Sequence, residues 1–146
     1  DRSPSRGLGD VYKRQDISFP NCDEASVERI ANMIKEVPPR KLVLAHMGGW
    51  GMYNEVCDKL IGTPGVWLDT AFVLRNSPDF YFLSKEKFVD MVRTHGTDHI
   101  LFGTDSPWSD QSEALKLIRE SGLNNDEIRM ILGDNAARLL DTFFSH

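Results

Sequence analysis

HILFGTDSPW, residues 99–108, is the stretch on which the fold turns. Four residues with strand character (His99, Ile100, Leu101, Phe102) lead into Gly103, and Thr104, Asp105 and Ser106 follow before Pro107 stops the run. A short apolar run of this kind reads as a buried parallel strand. The carboxylate at its end precedes a rigid turn and Trp108. KLVLAHMGGW, residues 41–50, has the same grammar: Leu42, Val43, Leu44 and Ala45 climb to His46, and the chain breaks at Gly48 and Gly49. GVWLDT, residues 65–70, is a third apolar run that ends in polar residues.

Helical patterns lie between and after these runs. Val27, Ile30, Ile34 and Val37 mark a helix over 23–37 that stops before Pro38-Pro39, and a short helix over 52–61 closes at Gly62. Ser84 caps a helix with Phe88, Met91, Val92 and His95 on one face and Gly96 at its end. Asp110 with Glu113 and Asn124 with Glu127 are capping boxes for helices over 110–121 and 125–132. Gly133 ends the second of these, and Asp134 caps a last helix carrying Leu139, Leu140, Phe143 and Phe144.

Strict alternation of strand and helix predicts an α/β fold with a parallel sheet. The strand ends at His46, Thr70 and Asp105 lie 24 and 35 residues apart, a spacing that suits the roughly 31 residues per unit of an eight-unit barrel. Three strands cannot close a barrel, and an open sheet this narrow leaves long apolar edges. The expectation is therefore the C-terminal part of a larger (β/α)8 barrel, apparently truncated, with a small three-layer domain as the alternative.

Composition narrows the function. The chain has 146 residues, 40% hydrophobic and 27% charged, with a net charge of −5 and its 17 basic residues scattered, which argues against nucleic acid as a partner. No apolar stretch approaches the ~20 residues of a membrane span, so no membrane partner is expected. Cys22 and Cys57 lack CxxC spacing, and Cys57 falls on an apolar helical face, so reduced thiols and a cytoplasmic location are expected. Residues 1–15 carry no usable apolar periodicity and read as a non-native or disordered segment, leaving 16–146 as the domain.

In a strand the side chains alternate, so Leu42, Leu44 and His46 share one face and Leu101, Gly103 and Asp105 another. If both faces point into a barrel, His46 and Asp105 converge at its mouth, where they can ligate Zn²⁺ or a similar divalent ion that acidifies bound water. Asp105 can also take the water's proton and pass it to a leaving group. Each residue has a plainer reading: Asp105 as a turn cap, His46 as a satisfied core histidine. Gly48 and Gly49 would let a ligand approach the backbone, and Trp50 and Trp108 could wall a substrate pocket, though core packing is nearly as good an account of the tryptophans. His95 reads as structural, a cation beside a helix C-terminus, and His99 as structural too. Between Asp69 and Thr70 the sequence does not choose.

Residues from about 16 to 141 resemble the C-terminal half of the amidohydrolase-related metal-dependent hydrolases, a group that includes aminocarboxymuconate-semialdehyde decarboxylase-like enzymes. The stretches that carry the resemblance are KLVLAHMGGW, GVWLDTAFVL, HILFGTDSPW and ILGDNAARLL, in that order. The TDSP element also resembles TatD-type deoxyribonucleases, which the double-glycine turn after His46 fits less well. The amidohydrolase resemblance implies a (β/α)8 barrel with strands six, seven and eight at 41–46, 65–70 and 99–104. It implies Asp105 as the strand-eight aspartate that binds metal and handles the proton, and His46 as the strand-six histidine. The HxH pair of strand one and the strand-five histidine have no counterpart in the chain. The implied activity is metal-dependent hydrolysis of a small molecule. The alternatives are non-oxidative decarboxylation, for which Arg75 is the one candidate carboxylate partner, and a catalytically incompetent partial barrel. Self-association into a homo-oligomer is expected of open strand edges.

Overall fold

The computed structural model describes residues 26–76 and 81–144. Segment 1–15, Cys22, the first three residues of the expected 23–37 helix and His146 lie outside the described residues. Helix α1 (Val27–Glu36) begins at Ser26, whose hydroxyl accepts from the Arg29 N–H at 3.3 Å. Its apolar face, Val27, Ile30, Ala31 and Ile34, is buried, whereas Val37 sits past the helix end and is 69% exposed.

Three strands follow the order in which the chain makes them: β1 (Leu42–Leu44), β2 (Val66–Asp69) and β3 (Ile100–Leu101), all parallel, in sheet order β1-β2-β3. Sequential order in one direction is the order of a barrel wall; a doubly wound sheet reverses at a switch point. Helix α2 (Tyr53–Lys59) connects β1 to β2, and α3 (Lys85–His95) precedes β3. After β3 come α4 (Gln111–Arg119), α5 (Asn125–Arg129) and α6 (Asn135–Phe144).

Register assigns the two sheet faces. Leu42 pairs with Val66, Leu44 with Leu68, and Leu68 with Ile100, and these five enter one core with Ile30, Ile34, Val56, Phe88 and Val92 from the helices. The opposite face carries Val43, Trp67, Asp69 and Leu101, each only half-buried. This corrects the expected facing: Leu42 and Leu44 point toward the helices, and the chain leaves the strand before His46 could share their side.

Local capping agrees with expectation where the chemistry is local. The Ser84 hydroxyl accepts from the Lys87 N–H at 3.2 Å, and the Asp110 carboxylate from the Glu113 N–H at 2.8 Å. Asn124 and Glu127 form both halves of a capping box. The expected break at Gly133-Asp134 does not occur. A π-helical turn over Met130–Asp134 carries α5 directly into α6, and Asp134 pairs with Arg129 at 3.1 Å instead of capping a helix.

Just after that turn, the fully buried Asn135 donates from Nδ2 to the carbonyls of Thr97 and Ile100, each at 2.7 Å. It ties α6 to the start of β3. His95 is structural, as expected, but not as a cation. Its Nδ1 accepts from the Gly62 N–H at 3.0 Å, so Nε2 carries the proton and donates to the Val66 carbonyl at 3.0 Å. Burial, and to a lesser degree the neighbouring His99, hold its pKa below the ordinary value. Cys57 is a free, half-buried thiol. Among the described residues no helix is long and apolar enough to cross a membrane.

Candidate active site

The three strands end at one place, and the backbone turns sharply there each time. Among the described residues four that are not glycine have positive φ: His46 (55°) and Met47 (52°) after β1, Phe72 (53°) after β2 and Asp105 (58°) after β3. Left-handed backbone costs an L-residue roughly 1–2 kcal/mol, less for Asp, whose short polar side chain tolerates it. Strain gathered at the C-terminal ends of parallel strands is where functional geometry is usually stored.

Side-chain contacts stitch these ends together. The Asp69 Oδ1 accepts two backbone N–H bonds, from His46 at 2.8 Å and from Ala71 at 3.0 Å. The Ala71 carbonyl lies 2.8 Å from His46 Nδ1. A carbonyl only accepts, so Nδ1 carries the ring proton and Nε2 of the neutral ring presents a lone pair. The Thr70 hydroxyl accepts from the Gly103 N–H at 3.2 Å and donates to the Gly103 carbonyl at 3.4 Å, joining the ends of β2 and β3. A Cβ on Gly103 would lie 3.1 Å from Ala71 Cβ, so this crossing is close as well as bonded.

Burial pushes the Asp69 carboxyl above the ordinary carboxylate range. The two backbone N–H donors and the His46 ring pull it back down, while the Asp105 carboxylate is near enough to push it up. His46, Asp69 and Asp105 thus form one electrostatic cluster drawn from three strand ends.

The other sequence candidates are placed less uniformly. Gly48 is buried with φ of 89°, and a Cβ there would meet Val56 at 3.1 Å and Leu68 at 3.5 Å. Its lack of a side chain serves packing under the turn. Gly49 is buried and its N–H donates to the His46 carbonyl at 3.1 Å. Trp50 stacks with Tyr81 (5.1 Å) and Phe72 (5.8 Å) and meets Phe82 edge-on (5.9 Å), and its buried Nε1–H has no hydrogen-bond partner among the described residues. The Arg75 guanidinium lies over Phe82 at 5.3 Å. Trp108 is 74% exposed beyond the Asp105 turn, where its N–H donates to the Asp105 carbonyl at 2.8 Å.

Sequence reasoning names His46 and Asp105 and does not choose between Asp69 and Thr70; Ala71 it does not single out. The signal for Asp69 was its position one residue from a strand end. Its partner His46 lies 23 residues away, beyond any local pattern.

Catalytic zinc takes about three protein ligands plus a water. Among the described residues no three His, Cys, Asp or Glu side chains are grouped to hold an ion. His46, with its second ring nitrogen held by a carbonyl, has the arrangement usual for a metal-binding histidine. The residues present therefore fit part of a metal site rather than a whole one.

A family profile described as Amidohydrolase matches residues 20–142. An uncharacterized TIM-barrel protein from Bordetella bronchiseptica is similar in structure, with a TM-score of 0.71 and 22% identity over 86% of this chain and 43% of that one. A dihydroxybenzoic acid decarboxylase from Polaromonas, solved with manganese and 2-nitroresorcinol, has a TM-score of 0.60 and 19% identity over 79% and 38%. A candidate 2-pyrone-4,6-dicarboxylic acid hydrolase from Pseudomonas putida has a TM-score of 0.59 and 18% identity over 79% and 49%. The chain thus spans less than half the length of each of these structures, and its sheet and helices share the fold of part of a TIM barrel. No curated protein matches the chain.

Proposed function

The chain belongs to the amidohydrolase family, and from that premise we propose that it forms strands six to eight of a TIM-barrel enzyme and contributes His46 and Asp105 to a divalent-metal centre at the barrel mouth. The observation that carries the reading is the His46 ring, whose Nδ1–H is committed to the Ala71 carbonyl and whose Nε2 is left as a donor atom. The half-buried face of Val43, Trp67, Asp69 and Leu101 supports it, because an inward barrel wall would be covered by the remaining strands. Zinc or manganese would supply Lewis acidity there.

The substrate would be a small molecule held against the strand-end loops. In hydrolysis of a C–N or ester bond, Asp105 would accept the proton of the attacking water and deliver it to the leaving group. In decarboxylation the bond to the carboxylate carbon breaks, CO2 leaves and a proton must reach the carbon left behind. Asp105 would be the group that delivers it. The decarboxylase in the Polaromonas structure favours this second reading as much as the hydrolase from Pseudomonas favours the first. With no HxH pair in the sequence, the chain by itself would hold a metal weakly rather than turn over substrate.

Titration with Mn²⁺, followed by paramagnetic broadening of assigned NMR signals, tests the ligand assignment. The His46 ring and the Asp105 amide should broaden before His95, and Asp105→Asn should abolish the effect at His46. Broadening spread evenly over surface carboxylates would overturn it.

A further inference from the structure

We propose that Asp69 is a positioning residue for His46: by accepting the N–H groups of His46 and Ala71 on one oxygen, it sets the Ala71 carbonyl that fixes the His46 tautomer. The contacts make a closed loop. The His46 main chain and ring are both held, the first by Asp69 at 2.8 Å and the second by Ala71 at 2.8 Å. Asp69 holds Ala71 in turn at 3.0 Å.

A plainer account is that Asp69 makes a turn with the residue two positions on, as Asp commonly does. That covers the Ala71 bond alone. It does not explain the bond to His46, which comes from another strand end and meets a residue with φ of 55°. A left-handed histidine needs support from its surroundings to persist, and the Asp69 oxygen gives it. Direct metal ligation by Asp69 is a poorer account, since the oxygen that faces the other strand end already accepts two bonds.

The role assigned to Asp69 rests on His46 acting through Nε2, yet its test needs no metal. Long-range ¹H–¹⁵N correlation spectra of the histidine rings report which nitrogen carries the proton. The unaltered chain should show Nδ1–H at His46 and Nε2–H at His95, and the amides of His46 and Ala71 should exchange at least about tenfold slower than in an unfolded chain. In Asp69→Ala the His46 signature should change to a mixture of tautomers while His95 keeps its own, which shows the fold intact. Asp69→Asn, whose amide oxygen accepts the same two bonds, should keep Nδ1–H at His46. Retention of Nδ1–H in a folded alanine variant would overturn the proposal, as would its loss in the asparagine variant. Should the alanine chain also lose the His95 signature, the asparagine spectrum and the exchange rates decide, and exchange at the unfolded rate overturns it. A failed Mn²⁺ titration with these results intact would remove the metal reading and leave the positioning role standing.

Discussion

Replacing Asn135 by Ala should destabilise the protein by about 3 kcal/mol. Asn135 is 0% exposed, and its amide donates to Thr97 and Ile100 while its oxygen accepts from the Arg138 guanidinium. Losing two donated bonds costs about 1 kcal/mol each net, with further loss because buried carbonyls are left unpaired and a small cavity opens. At this chain length the loss lowers the Tm by roughly 10 °C. Urea unfolding followed by circular dichroism measures it, with the denaturant slope unchanged so that the shift reports stability. Asn135→Asp sharpens the reasoning. The aspartate has the same shape, but once ionised it has nothing to donate to the two carbonyls. It should be no more stable than the alanine variant at neutral pH and recover partly in acid, when protonation restores one donor. A loss under about 1 kcal/mol for alanine, or an aspartate variant as stable as the parent at neutral pH, would refute the account of α6 as the anchor of β3.

Three more outcomes follow from the same contacts. Gly103→Ala pushes a methyl to 3.1 Å from Ala71 Cβ and should cost about 1–2 kcal/mol, with Ala71→Gly recovering part of it in a double-mutant cycle; strictly additive effects would show that the crossing is not tight. Because burial holds the folded His95 pKa below its ordinary value, its stabilising effect is complete above about pH 6.5 and is lost as pH falls toward the folded value. The unfolded chain then binds a proton that the folded ring refuses, so urea midpoints should drop over that window and His95→Gln should flatten the drop. Asp105→Gly removes a left-handed non-glycine residue and a like charge beside Asp69; stability should stay within about 1 kcal/mol of the parent, and a loss above about 2 kcal/mol would make Asp105 a structural residue.

The sequence shows the parts of this protein whose chemistry is local. Ser84, Asp110 and Asn124 start helices because their side chains bond N–H groups two or three residues on, and that relation is written in the residue order. The parallel strands were equally plain as apolar runs. Their facing was not, because Val43, Trp67 and Leu101 are as apolar as Leu42, Leu68 and Ile100, and a period of two cannot rank two apolar faces. Gly133-Asp134 has the punctuation of a helix boundary. The chain nevertheless continues through it, and directly after it Asn135 bonds residues 38 and 35 positions earlier. His95 was placed correctly for an incorrect reason: its charge state depends on the Gly62 N–H, which no spacing rule connects to it.

The candidate site divides along the same line. His46 and Asp105 stand out because each ends an apolar run and is followed by a turn. The groups that hold His46 and the Gly103 backbone stand out less, because each acts across strands: Asp69 on His46, Ala71 on the His46 ring, Thr70 on Gly103. Those cross-strand bonds have a physical reason to be there. A left-handed His46 or Phe72 costs stability wherever it occurs, and glycine would remove the cost along with the side chain. Keeping the side chains requires neighbours that favour the strained turns. Asp69 accepts from the left-handed His46, Thr70 locks the backbone two residues before the left-handed turn at Phe72, and Gly103 makes room beside Ala71. The end of β2 is therefore the frame that fixes His46 on one side and the approach to Asp105 on the other, although neither of the two residues most exposed to sequence reading belongs to it.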